Sequence, residues 1–273
     1  MKRYSLRTFV LEVVMIAVTA LFAFPLYVLV NLSLRTADDP TPDVLPTLSP
    51  TFENYVEAWN QAGLGSAMVN SLIVTVASVA LVVVVSALAA YPLVRLTSRL
   101  SSVVFWFVLV GLLLPFQVAL IPLYQTMRDL GLLGSVVSLI LFYAGLQVPF
   151  SVFLYAGFLR ALPREYEEAA SVDGANTWTS FWRVVFPMLR PVTGTVVILN
   201  AIFVWNDFLT PLLYLSGSEQ QTIPVALYTF LGQYVSNWPL VFAGLVIGLA
   251  PILVAYFLMQ RSIIHGFAGG LKG

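Results

Sequence analysis

The 273 residues carry 59% hydrophobic side chains, a mean hydropathy of +0.91 and only 10% charged residues. A soluble domain of this length does not hold that balance, so the chain reads as an all-α polytopic membrane protein lodged in a lipid bilayer. The formal net charge of zero selects no partner, and the lack of cysteine excludes disulfides, thiolate ligands and a cysteine nucleophile while leaving the redox compartment open.

In chain order, Lys2, Arg3 and Arg7 precede an apolar run from Phe9 to Val30. The pattern resembles a signal peptide, but the run exceeds the ~7–15 residues of a signal's apolar region and no cleavage site closes it. It is expected to stay as a first span, with Glu12 near its inner end in a structural role. Five more spans follow, roughly Met68–Val94, Val103–Tyr124, Ser135–Leu159, Val192–Leu215 and Leu240–Gln260. About six spans of ~20 residues use about half the chain. Residues 1–273 therefore read as a single transmembrane domain with its core at about 68–260. Gly244 and Gly248 form a small-xxx-small pair suited to close helix approach. The halves show no inverted repeat of the kind that marks many secondary transporters.

Orientation follows from the basic residues. With the N-terminus inside, every one of the 13 lysines and arginines except Arg35 and Arg128 falls on the inner side. Both termini are then cytoplasmic. The first outer loop is expected to run extended through Pro40, Pro42, Pro46 and Pro50, then to form a short helix over Phe52–Trp59 at the interface, where Tyr55 and Trp59 suit the headgroup belt. A second outer segment, Ser216–Pro239, is polar, with Gln220, Gln221, Gln233, Asn237, Tyr228 and Tyr234. Either loop could receive an extracytoplasmic partner or serve as simple connection.

The densest polar stretch is the inner loop LPREYEEAASVDGANTWTSFWRVVFP, Leu162 to Pro187, within a cytoplasmic segment 161–190. It reads as two short helices around a glycine turn. Pro163 suits a first helical turn, and Glu165, Glu167 and Glu168 sit at the positive end of the helix dipole. Gly174, after Asp173, supplies the left-handed stop. Asn176 can cap the second helix, whose Trp178, Phe181, Trp182 and Val185 recur at helical spacing, and Pro187 ends it. Ala169 and Ala170 leave a small surface that another protein could approach closely. An amphipathic segment lying on the membrane accounts for the same residues.

Within the fifth span, Trp205-Asn206-Asp207 stands out. Counted from Arg190, Asp207 lies ~25 Å up a continuous helix at 1.5 Å per residue. A carboxylate there is costly unless it faces a cavity or a partner. A stacking face with donors and acceptors suits a polyhydroxylated ligand, and an interhelical hydrogen-bonding cluster fits equally well. Asn70, Gln117 and Gln147 are weaker pathway candidates. His265, the sole histidine, has no metal-ligand companion and reads as a loop or interface residue, so no metal site is expected.

The inner loop carries a resemblance. Glu168-Ala169-Ala170, then Gly174, Val184, Phe186 and Pro187 resembles the loop pattern of ABC importer permeases: E-A-A, three residues, G, nine residues, I, any residue, L-P. Val184 and Phe186 replace the pattern's Ile and Leu. Trp205 to Leu209 with Pro211-Leu212, Asn70-Ser71-Leu72, Ala89-Ala90-Tyr91, Pro115-Phe116-Gln117 and the tail Gly269 to Gly273 are similar to the carbohydrate-uptake branch, of maltose or oligosaccharide type. The resemblance implies a type I importer permease fold in a bacterial or archaeal cell membrane. It implies a second permease, two ATP-binding subunits holding ATP and Mg, an extracytoplasmic solute-binding protein, and a sugar or oligosaccharide as cargo. No nucleic acid is expected, and no cofactor on this chain. ATPase coupling would fall to Glu165, Glu167, Glu168, Ala169, Ala170, Asp173, Gly174 and Pro187, with Lys272 and Gly273 as further contacts.

The residues also limit the chemistry. A P-loop needs Gly-Lys before Ser or Thr, and the only lysines, Lys2 and Lys272, follow Met1 and Leu271. A Ser-His-Asp set has only His265 to draw on and no paired carboxylates share a membrane depth, so catalytic residues are not expected and the chain is not read as an enzyme. The alternative function is an ion-coupled secondary transporter using Asp207 or Glu12.

Overall fold

The computed structural model describes residues 5–233 and 237–270, and every regular element among them is helical. The chain divides into two compact units, Met1–Gly65 with Ile223–Pro251, and Ser66–Thr222 with Ile252–Gly273.

In the first unit, α1 (Leu6–Ser33) starts at Ser5, whose hydroxyl accepts the Thr8 N–H at 3.3 Å. Its most apolar stretch is wholly exposed within this chain, a surface only lipid or another apolar protein face can cover. The proline-rich segment after it is not extended as its composition suggested. It folds back on Arg35, which is 4% exposed. The Arg35 Nη1 donates to the Thr41 carbonyl at 2.6 Å, and Nη2 to those of Pro42 and Leu45 at 2.6 and 2.9 Å. Asn31 adds bonds to the Asp43 and Leu45 carbonyls and to the Thr47 N–H. Five fixed guanidinium donors can satisfy loop carbonyls that point inward, which four prolines alone cannot do. The short helix α2 (Glu53–Gln61) then forms where expected, with Asn54 bonding back to the Ser33 and Arg35 carbonyls at 3.0 and 2.6 Å.

Asp39 closes the same loop. It accepts from the Thr41 hydroxyl, from the Thr47 hydroxyl at 2.6 Å and from the Thr41 N–H at 2.9 Å. Those bonds, the Thr41 hydroxyl foremost, lower its carboxyl from the ordinary 3.8 to about 2. A depressed folded pKa contributes stability that is complete above the unfolded value and lost as pH falls through the folded one. The loop is therefore expected to hold at pH 5 and to loosen only between about 3.8 and 2. Pepsin cutting at the exposed Leu45 and Leu48 should rise in that window, and Asp39→Asn should remove the pH step. Arg35→Ala should open the loop at neutral pH, since hydrogen bonds to a charged group contribute ~1.5–3 kcal/mol each.

The polar outer segment also folds differently from its reading as a polar loop. Much of it is α11 (Ile223–Gln233), whose Ile223, Val225, Ala226 and Phe230 are buried. Its side chains meet the two glycines of α12 (Trp238–Gly270): a Cβ at Gly244 would lie 2.8 Å from Leu227 Cδ2, and one at Gly248 2.9 Å from Ile223 Cγ2. The small-xxx-small pair is filled from within this chain. His265 falls inside the α12 backbone, not in a loop. Lys272 and Gly273 lie outside the described residues.

In the second unit, α3 (Leu64–Arg95, which begins at the boundary) is followed by α4 (Arg99–Val110) and α5 (Phe116–Asp129). The continuous span expected over 103–124 is thus broken at Gly111–Pro115. Tight turns there join the Gly111, Leu112 and Leu113 N–H groups to carbonyls three residues back. Pro115 has no N–H and biases Leu114 away from helix. Next, α6 (Val136–Ala161) is capped by the Ser135 hydroxyl and packs against α4 and α5 and the later α9 (Arg190–Asn206) and α10 (Leu209–Tyr214). Its Val152, Tyr155, Ala156 and Leu159 join Val82, Ala87 and Ala90 of α3 and Val192 and Val196 of α9 in the core.

Among the described residues, four helices are long and apolar enough to cross a membrane alone: Leu6–Ser33, Leu64–Arg95, Val136–Ala161 and Trp238–Leu258. A fifth crossing is available if the pair Thr177–Met188 and Arg190–Asn206, bent by 73°, counts as one.

Candidate functional site

The polar segment between α6 and α9 folds as α7 (Glu165–Val172) and α8 (Thr177–Met188). Pro163 stands just ahead of α7, and Arg164 caps it: the Glu167 and Glu168 N–H groups both bond the Arg164 carbonyl, at 2.9 and 3.0 Å. At the other end Gly174 adopts φ +85°, which lets the Gly174 and Ala175 N–H groups reach back to the Ser171 and Ala170 carbonyls at 3.0 and 2.9 Å. That is the left-handed stop expected of a glycine here. The Asn176 side chain then accepts the Thr179 N–H at 2.8 Å, opening α8.

Helix α8 does not end at Pro187. It runs to Met188 through a wider π turn at Phe181–Val185, where the Phe186 N–H bonds the Phe181 carbonyl. A proline one residue on has no N–H to place, so the widened turn and the proline fit each other. The chain then bends at Leu189 into α9. Of the apolar stripe, Phe181 and Val185 are buried as expected, whereas Trp178 is 62% exposed.

Two faces of α7 differ. Outward lie Tyr166, Ala169 and Val172, all exposed, with Glu165, Glu168 and Asp173 beside them. Val172 is 88% exposed, an apolar residue that solvent alone does not favour. Tyr166 and Val172 were missed as candidates, although residues 166, 169 and 172 share a helix face at three-residue spacing. Inward lies Glu167, expected among the docking residues. Its Oε1 accepts from Arg95 Nε at 2.7 Å and Nη2 at 2.6 Å, and its Oε2 from the Tyr91 hydroxyl at 2.9 Å. Ala170 is half-buried. A polar cleft of about 370 Å³ lies alongside, lined by Tyr91, Arg95, Arg164, Glu167, Glu168, Ser171, Thr177 and Ser180.

The other candidates gather at the break between α9 and α10. Asp207 is not a side chain partway up one helix, because α9 stops at Asn206 and Asp207 is extended, ψ 127°. Its Oδ1 accepts the Leu209 N–H at 3.1 Å, and its Oδ2 the hydroxyl of fully buried Tyr143 at 2.9 Å. Trp205 is buried, so its ring does not offer an open stacking face, and the Asn206 amide bonds the Ile202 carbonyl at 2.7 Å. Asn70 donates to the Gln221 carbonyl at 3.1 Å, Gln147 is buried, and Gln117 is exposed in the first turn of α5. Asp207 thus joins α6, α9 and α10. Among the described residues no group of three or more histidines, cysteines or carboxylates could hold a metal ion.

Residues 82–264 match the family described as binding-protein-dependent transport system inner membrane component. The chain is 34% identical over 251 residues to the melibiose/raffinose/stachyose import permease protein MelC of Bacillus subtilis, covering 91% of each. It is 30% identical over 271 residues to the probable starch degradation products transport system permease protein AmyC of Thermoanaerobacterium thermosulfurigenes, covering 99% of this chain and 98% of that one. With the multiple sugar-binding transport system permease protein MsmG of Streptococcus mutans it shares 34% over 255 residues, 92% of this chain and 91% of the other. A chain from a bacterial ABC transporter that imports the acidic polysaccharide alginate has the same fold, with a TM-score of 0.79 at 22% identity over 96% of this chain and 99% of that one.

Proposed function

The chain belongs to the family of binding-protein-dependent transport system inner membrane components, in its carbohydrate-uptake branch, and on that footing we propose that it is one of two permease subunits of an ATP-driven importer for a sugar or oligosaccharide. In this reading segment 161–190 seats in a cleft of an ATP-hydrolysing subunit on the cytoplasmic side. ATP and Mg stay on that partner, and an extracytoplasmic solute-binding protein delivers the cargo. Six crossings with both termini inside accommodate the basic-residue asymmetry, with residues 99–129 crossing as a broken helix.

The observation that carries the reading is the build of α7 and α8. A helix pair with an acidic first member, stopped at Gly174 and continuous with α9 through a 73° bend, presents Tyr166, Ala169, Val172, Glu168 and Trp178 outward. Movement of a nucleotide-binding partner would turn the pair as a body and pass the rotation to α9, a hinge-type switch. The ion-coupled alternative has less support, because both Asp207 oxygens already accept hydrogen bonds from within the chain.

The test is to tag the chain, purify it gently from its own membranes, identify what co-purifies, and measure ATP-dependent uptake of a panel of sugars in proteoliposomes. A P-loop ATPase and a second permease, with ATP-dependent uptake, support the reading. A chain that emerges alone and moves solute only with a proton gradient would sink it.

A further inference from the structure

Arg95, the last residue of α3, and Glu167 of α7 are 72 positions apart and only 11% and 15% exposed. Both guanidinium contacts converge on one carboxylate oxygen, and Tyr91, one turn earlier on α3, takes the other. Arg95 Nη2 also donates to the Leu162 carbonyl at 3.1 Å, and Arg164 Nη2 returns to the Arg95 carbonyl at 3.1 Å. The Tyr91 ring stands 5.2 Å from that of Phe181, extending the contact to α8. A single hydrogen bond is a pivot. Several bonds that do not share a line, made by a planar guanidinium fork, resist both sliding and rotation.

We propose that Arg95 and Glu167 form a strut that makes the C-terminal end of α3 move with α7 as one body, so that the loop drives α3 as well as α9. The strut rests on the importer reading above and gives Glu167 a positioning role inside the chain instead of a contact on the partner. The ion pair is partly buried and both Glu167 carboxylate oxygens accept hydrogen bonds, so neutralising one partner leaves the other charge uncompensated and frees the joint. A pin that only shapes the loop would require the same bonds, but it would not require α3 and α7 to keep a constant spacing through the nucleotide cycle.

The chain has no cysteine, so nitroxide labels at Leu96→Cys and Ser171→Cys, both exposed and neither on the outward face of α7, report the distance between the end of α3 and α7. The complex with its co-purifying subunits is measured in nanodiscs, without nucleotide and with a non-hydrolysable ATP analogue. The expected result is one narrow distance, the same in both states. With Glu167→Gln the distance should broaden or shift with nucleotide, and sugar carried per ATP hydrolysed should fall about tenfold, the change a coupling loss of the usual size produces. Arg95→Lys, which keeps the charge without the fork, should fall between. A wild-type distance that changes with nucleotide overturns the strut. So does a Glu167→Gln complex that keeps its sugar-to-ATP ratio, or one that loses its ATPase subunits altogether. Failure of the importer reading shows separately, as wild-type proteoliposomes without ATP-dependent uptake.

Discussion

A Gly174→Val variant should insert normally, reach the membrane at wild-type level and lose uptake almost completely. The effect is one of backbone and not of crowding, because a Cβ at Gly174 would meet no atom within 4 Å. Its φ of +85° is the obstacle. For an L-residue that conformation costs ~1–2 kcal/mol, and a β-branched side chain is worse placed still. The valine chain would move toward negative φ, break the Ala175-to-Ala170 bond and re-aim α8 relative to α7. Since about 1.4 kcal/mol is a factor of ten in an equilibrium, misdirecting a docking helix by a few such units removes the complex. Gly174→Asn should be milder, because asparagine tolerates the left-handed region. Glu168→Arg makes the companion test: Glu168 is exposed, so its loss should cost folding only ~0.3–1 kcal/mol of helix-dipole stabilisation while reversing charge on the face proposed to dock the ATPase. Uptake assays beside membrane-expression blots decide the case. Normal transport by either Gly174→Val or Glu168→Arg would remove this loop from the mechanism.

Asp207→Ala is expected to lower the thermal stability of the purified chain more than any other exchange in the fifth-span cluster. The substitution strips an acceptor from Tyr143, which has no solvent to turn to, and removes the cap at the start of α10. Hydrogen bonds to a charged group contribute ~1.5–3 kcal/mol and a helix cap ~1 kcal/mol. Tyr143→Phe should fall the same way by less, and Asp207→Asn should recover most of the loss by keeping an acceptor oxygen. Thermal melts in one detergent, read beside uptake in proteoliposomes, separate the two readings of this carboxylate. An Asp207→Ala protein that melts like wild type but transports poorly would put Asp207 on the substrate path; one that melts early makes it the joint of α6, α9 and α10.

Much of the loop was legible because its signals are local. Three glutamates at a helix start, a glycine that alone accepts φ +85° and an asparagine two residues later each act within one turn. The break in 103–124 had a local signal too, in Gly111 and Pro115, but tolerance of proline within membrane helices masked it. Mean hydropathy counts residues and cannot tell a kink from a stop. Pro187 misled in the opposite sense: it reads as a terminator, yet the π turn before it lets the helix continue to Met188.

What required the fold was every contact with a distant partner. Nothing near Glu167 distinguishes it from Glu165 and Glu168, and it turns inward because Arg95, 72 positions away, ends α3 beside it. Arg35 read as one more outer charge, whereas loop carbonyls up to ten positions later enclose it. Asp207 reads as a carboxylate on a continuous helix that either meets a ligand or joins helices, and its interhelical partner, Tyr143, lies 64 positions earlier in the chain. By itself the sequence determined the membrane class, the all-helical architecture, the position of the polar loop along the chain and the family, all consequences of composition, short-range backbone preference and motif. Only the tertiary structure decided which charges face outward and which are joints, because a charged side chain takes its orientation from whichever partner best compensates its lost water, and that partner is set by packing between elements remote in sequence.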